Sequence, residues 1–135
     1  MFPKQVLKTA RDALLADSVL NSLLGDFKVY RNRPSKSPTF PHMVHVFRTK
    51  GNDDPVTTGN YYLDIVINDY SSDIAEQAAH RVKVIFKSLY GPAGLRYKFR
   101  DQMEFEDSEE IHKVSLLFHV RGTDKEYLHQ SVYDS

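Results

Sequence analysis

Tyr61-Tyr62-Leu63-Asp64-Ile65-Val66-Ile67-Asn68 decides the fold class. Tyr61, Leu63, Ile65 and Ile67 share one face of an extended chain. Asn60, Tyr62, Asp64 and Asn68 share the other, with Val66 the exception. Period two with one apolar face is the pattern of a half-buried antiparallel strand. Directly after it, Ser71, Ser72 and Asp73 offer a helix cap, with Glu76 placed to reach back to Asp73. Ile74, Ala78, Val82, Ile85, Phe86 and Leu89 then recur at helical spacing until Gly91-Pro92 stops the helix.

Working outward, the N-terminal side opens with Pro3 in a helical first turn and Val6, Leu7, Ala10 and Leu14 on one stripe. Asp17 and Ser18 are cap-type residues before a second set, Val19, Leu20, Leu23 and Leu24, closed by Gly25. The pattern predicts one helix over 3–24, kinked or broken near Asp17. Phe27 to Arg31 reads as a short strand. Arg33 to Pro41 holds three prolines and reads as a loop. Met43 to Arg48 reads as a strand with both faces partly covered, and Thr49 to Gly59 as a polar loop.

On the C-terminal side, Tyr97, Phe99, Met103 and Phe105 alternate with polar residues. Val114, Leu116, Phe118 and Val120 do the same. The short acidic link Glu106 to Glu110 predicts that these two strands form a hairpin. The expected order is α-β-β-β-α-β-β, an α+β domain over 1–121 with one antiparallel sheet covered on one face by two helices, then a polar tail over 122–135.

Composition narrows the function. The chain has 135 residues, with 18 Lys plus Arg against 18 Asp plus Glu, so bulk charge does not hold it to nucleic acid or to an anionic membrane. Cysteine is absent, which removes disulfides, thiolate metal sites and a thiol nucleophile. It also fits a reducing compartment. No apolar run approaches the roughly 20 residues of a membrane helix, and the N-terminus does not read as a signal peptide.

Catalytic and metal motifs are not legible. His42 and His45 are three apart on a strand, and His112 and His119 seven apart. Odd spacings put each pair on opposite faces. Asp101 to Glu110 carries six carboxylates but lacks the glycine turn and ligand spacing of a calcium loop. It reads as a solvated hairpin tip. Gly91-Pro92-Ala93-Gly94 follows a helix, where phosphate loops precede one, and no Gly-x-Ser-x-Gly elbow occurs. No catalytic residue, metal site or cofactor is expected.

Charge segregation is the informative feature. Phe27 to Asn52 contains no acid and six bases, Lys28, Arg31, Arg33, Lys36, Arg48 and Lys50, whereas the acid-dense tip lies far downstream. The basic stretch could bind nucleic acid, with Tyr30, Phe40 and Phe47 as stacking groups. Alternatively, opposite surfaces of one subunit are complementary and copies associate head to tail into a ring. Candidate interface residues are Arg31, Arg33, Lys36, Arg48, Lys50, Asp53, Asp54, Glu106, Asp107, Glu109 and Glu110.

The helix Val6-Leu7-Lys8 to Asp12-Ala13-Leu14-Leu15-Ala16-Asp17, then Val19-Leu20 and Leu23-Leu24-Gly25, carry a resemblance. So do Val29-Tyr30, the loop ending Pro41-His42-Met43-Val44, the strand Tyr62 to Asn68, the helix Ala75 to Leu89, and the hairpin ending Leu117-Phe118-His119-Val120. Over residues 5–121 the chain resembles the tail-completion, or tail-to-head joining, proteins of long-tailed bacteriophages, a group that includes the tail terminators. The match is one of order and spacing. Asp64 only loosely matches the family's usual aspartate or tryptophan in the third strand, and tryptophan is absent.

The resemblance implies a non-enzymatic virion protein at the head–tail interface, assembled in the host cytoplasm. It implies a homohexameric ring that caps the tail tube protein and docks onto the portal and stopper proteins of the head. Genomic DNA would pass through the lumen as cargo. A head-side adaptor or minor tail protein, a nucleic-acid-binding module using residues 28–50, and a small enzyme or ligand-binding domain on a ferredoxin-like sheet are the alternatives.

Overall fold

A computed structural model describes residues 2–49, 61–91, 94–106 and 110–121. Helices α1 (Phe2–Ala16) and α2 (Ser18–Leu24) precede strands β1 (Lys28–Arg31), β2 (His42–Thr49) and β3 (Tyr61–Asp69). Helix α3 (Ser72–Lys87) follows, then β4 (Arg96–Glu106) and β5 (His112–Arg121). The strands form one sheet in the order β1-β2-β3-β5-β4.

The break near Asp17 has a physical cause. The Asp17 carboxylate accepts the Leu20 N–H at 2.9 Å and caps α2. It also receives Nε and Nη2 of Arg81 on α3, at 3.0 and 2.8 Å. This two-pronged bond, with the Leu20 N–H, holds the Asp17 pKa below its usual value against the opposing effect of burial. One side chain thus caps one helix and ties it to another. Gly25, at φ 71°, then ends α2 in a conformation that penalises any residue with a Cβ.

Asp17→Ala is expected to lower the unfolding free energy by about 1–2 kcal/mol through the lost cap, with the lost Arg81 pair adding to it. Asp17→Asn keeps a capping oxygen and gives up the charge, so it should fall between alanine and wild type. Urea denaturation of the three proteins checks the order.

Of the three cap-type residues before helix α3, Ser71 is the one that caps it. Ser71 Oγ accepts the Ile74 N–H at 3.2 Å, and Asp73 instead sits in the first turn and accepts Gln77 Nε2 at 3.0 Å. At the other end the helix stops at Lys87, with Ser88 as its C-cap, ahead of Gly91-Pro92.

All three helices cover one face of the sheet. Leu63, Ile65, Ile67, Val114, Leu116, Phe118 and Val120 meet Val6, Leu14, Leu20, Ala78, Val82 and Phe86 in the core. Phe86 lies at its centre, 4.9 Å from the Tyr97 ring and 4.7 Å from Phe118. The Tyr97 hydroxyl donates to the Val6 carbonyl at 2.6 Å and fastens α1 to β4.

Two expectations about the sheet need correction. It is mixed: β1 lies parallel to β2, with Lys28 opposite His42 and Arg31 opposite His45. The other three pairings are antiparallel. Residues 32–41 are too long for a tight hairpin turn, and β1 is only four residues, about 13 Å at strand rise. A loop can therefore return the chain to the starting end of β1 without a crossover helix. Asn32, at φ 68°, turns the chain, and its N–H donates to the His45 carbonyl at 3.0 Å. Phe40 packs 4.8 Å from both His42 and Tyr70 and seats the loop's far end.

The second correction concerns β4. The register against β5 slips between Phe99 and Asp101, leaving Arg100 as an extra residue. A bulge exchanges the two faces beyond it. Tyr97 and Phe99 pair with Val120 and Phe118 on the core side, whereas Met103 and Phe105 pair with Ser115 and Lys113 on the helix-free side. Met103 is 61 % exposed and Phe105 45 % exposed. The four residues that alternate in sequence do not share a face.

Candidate assembly surfaces

The sheet order separates the charged stretches. β1 and β4 are the two edges. Arg31 ends β1, and Arg33 and Lys36 lie in the following loop, all exposed. Glu106 ends β4, and Glu110, exposed at φ 63°, leads toward β5. The pairings set Lys28–Arg31 level with Phe105–Gln102 across the sheet. The basic edge and the acidic half of β4 therefore lie directly opposite each other on one subunit. Arg48 is not part of that edge. It sits on β2, with its Nε donating to Asp64 Oδ2 at 2.9 Å. Lys50, Asp53, Asp54, Asp107 and Glu109 lie outside the described residues.

A third charged surface was not anticipated from the sequence. Lys83 and Lys87 of α3, Arg96 and Lys98 of β4, and Arg121 of β5 surround a cleft of about 510 Å³. Phe86, Leu89, Tyr90, Tyr97, Phe99 and Phe118 supply the rest of its wall. No carboxylate lines it among the described residues. Lys83 Nζ stands 5.1 Å from the Phe99 ring centroid and donates to Gln102 Oε1 at 2.8 Å. The signal was present in sequence only as fragments: Arg96 and Lys98 flank Tyr97, and Lys83 and Lys87 are one helical turn apart. Only the packing of α3 against β4 and β5 joins them.

The histidines are structural where they are buried. His42 Nδ1 lies 3.0 Å from the Thr39 carbonyl, and its Nε2 lies 3.2 Å from Asn68 Nδ2. The neutral tautomer with its proton on Nδ1 satisfies both contacts. Burial lowers the His42 pKa and Lys113 adds to that, against the Thr39 carbonyl. His45, on the opposite face, is 3 % exposed, and its Nδ1 has no hydrogen-bond partner. Glu76, Glu104 and His112 place their ligand-type atoms within 4.8 Å of one another, with His112 Nε2 3.8 Å from Glu104 Oε1. Spacing between histidines could not find this group, because its other members are glutamates on α3 and β4. Both glutamates are exposed.

Comparison with known proteins gives a fold. The chain folds like a chain of a virion. The two superimpose with a TM-score of 0.66 over 89 % of this chain and 96 % of the other, at 18 % sequence identity. The other belongs to a structure described as the virion of a native gene transfer agent (GTA) particle. No family model matches the sequence, and no curated protein matches it. No helix among the described residues is long and apolar enough to cross a membrane.

Proposed function

We propose that this chain is a structural, non-enzymatic virion protein of a phage-like particle. Its copies associate head to tail into a ring that completes the tail and joins it to the portal and stopper proteins, with DNA passing through the lumen. The carrying observation is the placement of charge. The acidic half of β4 occupies one end of an edge strand, while the cationic surfaces lie at its other end and on the opposite edge. A two-fold contact centred on the acidic end of β4 would set acid against acid. A contact between unlike surfaces joins opposite charges and repeats from copy to copy, which builds a ring when the rotation closes. The fold shared with a GTA virion chain supports the virion setting.

A nucleic-acid-binding reading finds less support. Phe40 is turned onto His42 and Tyr70, and Arg48 is engaged by Asp64. Phe40 cannot stack on a base without leaving these rings, and one N–H of Arg48 is already committed to Asp64.

Light scattering of the purified chain across a wide concentration range tests the proposal. A discrete oligomer near six subunits is expected. A monomer at every concentration would remove self-driven ring closure.

A further inference from the structure

We infer that the acidic end of β4 in one copy seats in the cationic aromatic cleft at the other end of β4 in the next copy. This rests on the head-to-tail reading and names its contact. The incoming end presents Met103 and Phe105, both exposed, flanked by Asp101, Glu104 and Glu106. The cleft offers aromatic walls, five cations and no carboxylate among its described lining residues. Its volume lies in the range of about 300–1,000 Å³ typical of pockets that bury a drug-sized ligand.

The two surfaces belong to different molecules. Met103 and Phe105 lie four and six residues beyond Phe99 and, past the bulge, on the opposite face of the sheet, so they do not enter the cleft of their own subunit. The bulge at Arg100 is what makes the end adhesive. It turns Met103 and Phe105 away from the core, where an unbroken strand would have kept them beside Tyr97 and Phe99.

The cleft is a better seat than the β1 edge. Arg31, Arg33 and Lys36 are exposed cations on a strand end and loop. The cavity beside them, lined by Lys4, Leu7, Lys8, Arg11, Asp12, Val29, Tyr30, Arg31 and His45, contains an acid and no phenylalanine. An aromatic anchor in a desolvated pocket dominates association, while the surrounding charges set its rate and register. The β1 edge stays free for another protein of the particle.

The test uses the full chain in two variants. Lys87→Glu with Lys98→Glu reverses the cleft, and Phe105→Ser with Glu106→Lys removes the incoming end. All four side chains are exposed, so circular dichroism and melting should match wild type. Each variant alone is expected to associate at least tenfold more weakly. Mixed one to one, they should form a heterodimer and stop there, because a single intact end faces a single intact cleft.

Association like wild type in either variant, or a mixture that stays monomeric, overturns the proposal. If Arg31→Glu with Arg33→Glu abolishes assembly while the cleft and end variants assemble, the contact moves to the β1 edge and the ring reading stands. If the wild-type chain is monomeric, a synthetic peptide of residues 101–110 becomes the probe. Binding to wild type and not to the reversed cleft supports the contact. Absence of binding, or tighter binding by a peptide of residues 122–135, overturns it.

Discussion

Phe86→Ala is expected to remove about 3–5 kcal/mol of stability, the range for deleting a fully buried aromatic side chain. Phe86 is 1 % exposed and packs against Tyr97 and Phe118. Alanine leaves a void where helix meets sheet, and both rings lose a face. Tyr97 also carries the hydroxyl bond to Val6, so its movement loosens α1 from β4.

Domains of this size are stable by about 5–15 kcal/mol, so a large fraction is lost. Phe86→Leu keeps most of the volume and should cost roughly half as much or less. Guanidinium denaturation reads both. The same ring walls the cleft, so Phe86→Ala should also weaken binding of the 101–110 peptide. A variant that unfolds at the wild-type midpoint would show that Phe86 is not central to the core.

The elements were legible wherever one face of a segment meets the core and the other meets water. The β3 alternation, the α3 stripe and the break at Asp17 are of this kind, because burial stamps its period on the sequence. The β1–β2 pairing was not. A four-residue strand carries too little pattern to show its direction, and three prolines mark a loop without saying where it leads. The bulge is not legible in the sequence because a polar residue at position 101 fits either register. Only the pairing with β5 shows that Arg100 is the inserted residue.

Site residues divide in the same way. The acidic run is contiguous, so it stood out in the sequence, and the basic run of residues 28–50 did too. Part of the basic run is engaged inside the fold, as the Arg48–Asp64 pair illustrates. The cleft draws its cations from α3, β4 and β5. Composition cannot show a cluster that exists only after packing.

Stability should fall steeply between about pH 6.5 and pH 4, and His45 is the main cause. Burial pushes its pKa from 6.5 down to about 4, and the charges of Arg11 and Arg31 add to the shift. The nearest acid in the cavity it lines, Asp12, is engaged by Lys8 at 2.6 Å. The folded state therefore keeps His45 neutral at pH values where the unfolded chain protonates it.

The sign follows from proton counting. Between the two values the unfolded state binds more protons, so stability is full above pH 6.5 and lost as pH falls toward 4. The expected loss is about 3 kcal/mol. His42, also lowered by burial, acts in the same direction. Asp17, lowered from 3.8, acts mainly below this window.

Urea midpoints measured at intervals across the window check it. His45→Leu should flatten most of the slope and cost little at pH 7, since Nδ1 makes no hydrogen bond there. His42→Leu is the contrast. It breaks the contacts to Thr39 and Asn68 and should destabilise at every pH. An unchanged slope in His45→Leu would mean that the imidazole is reached by water and carries its proton in the folded chain.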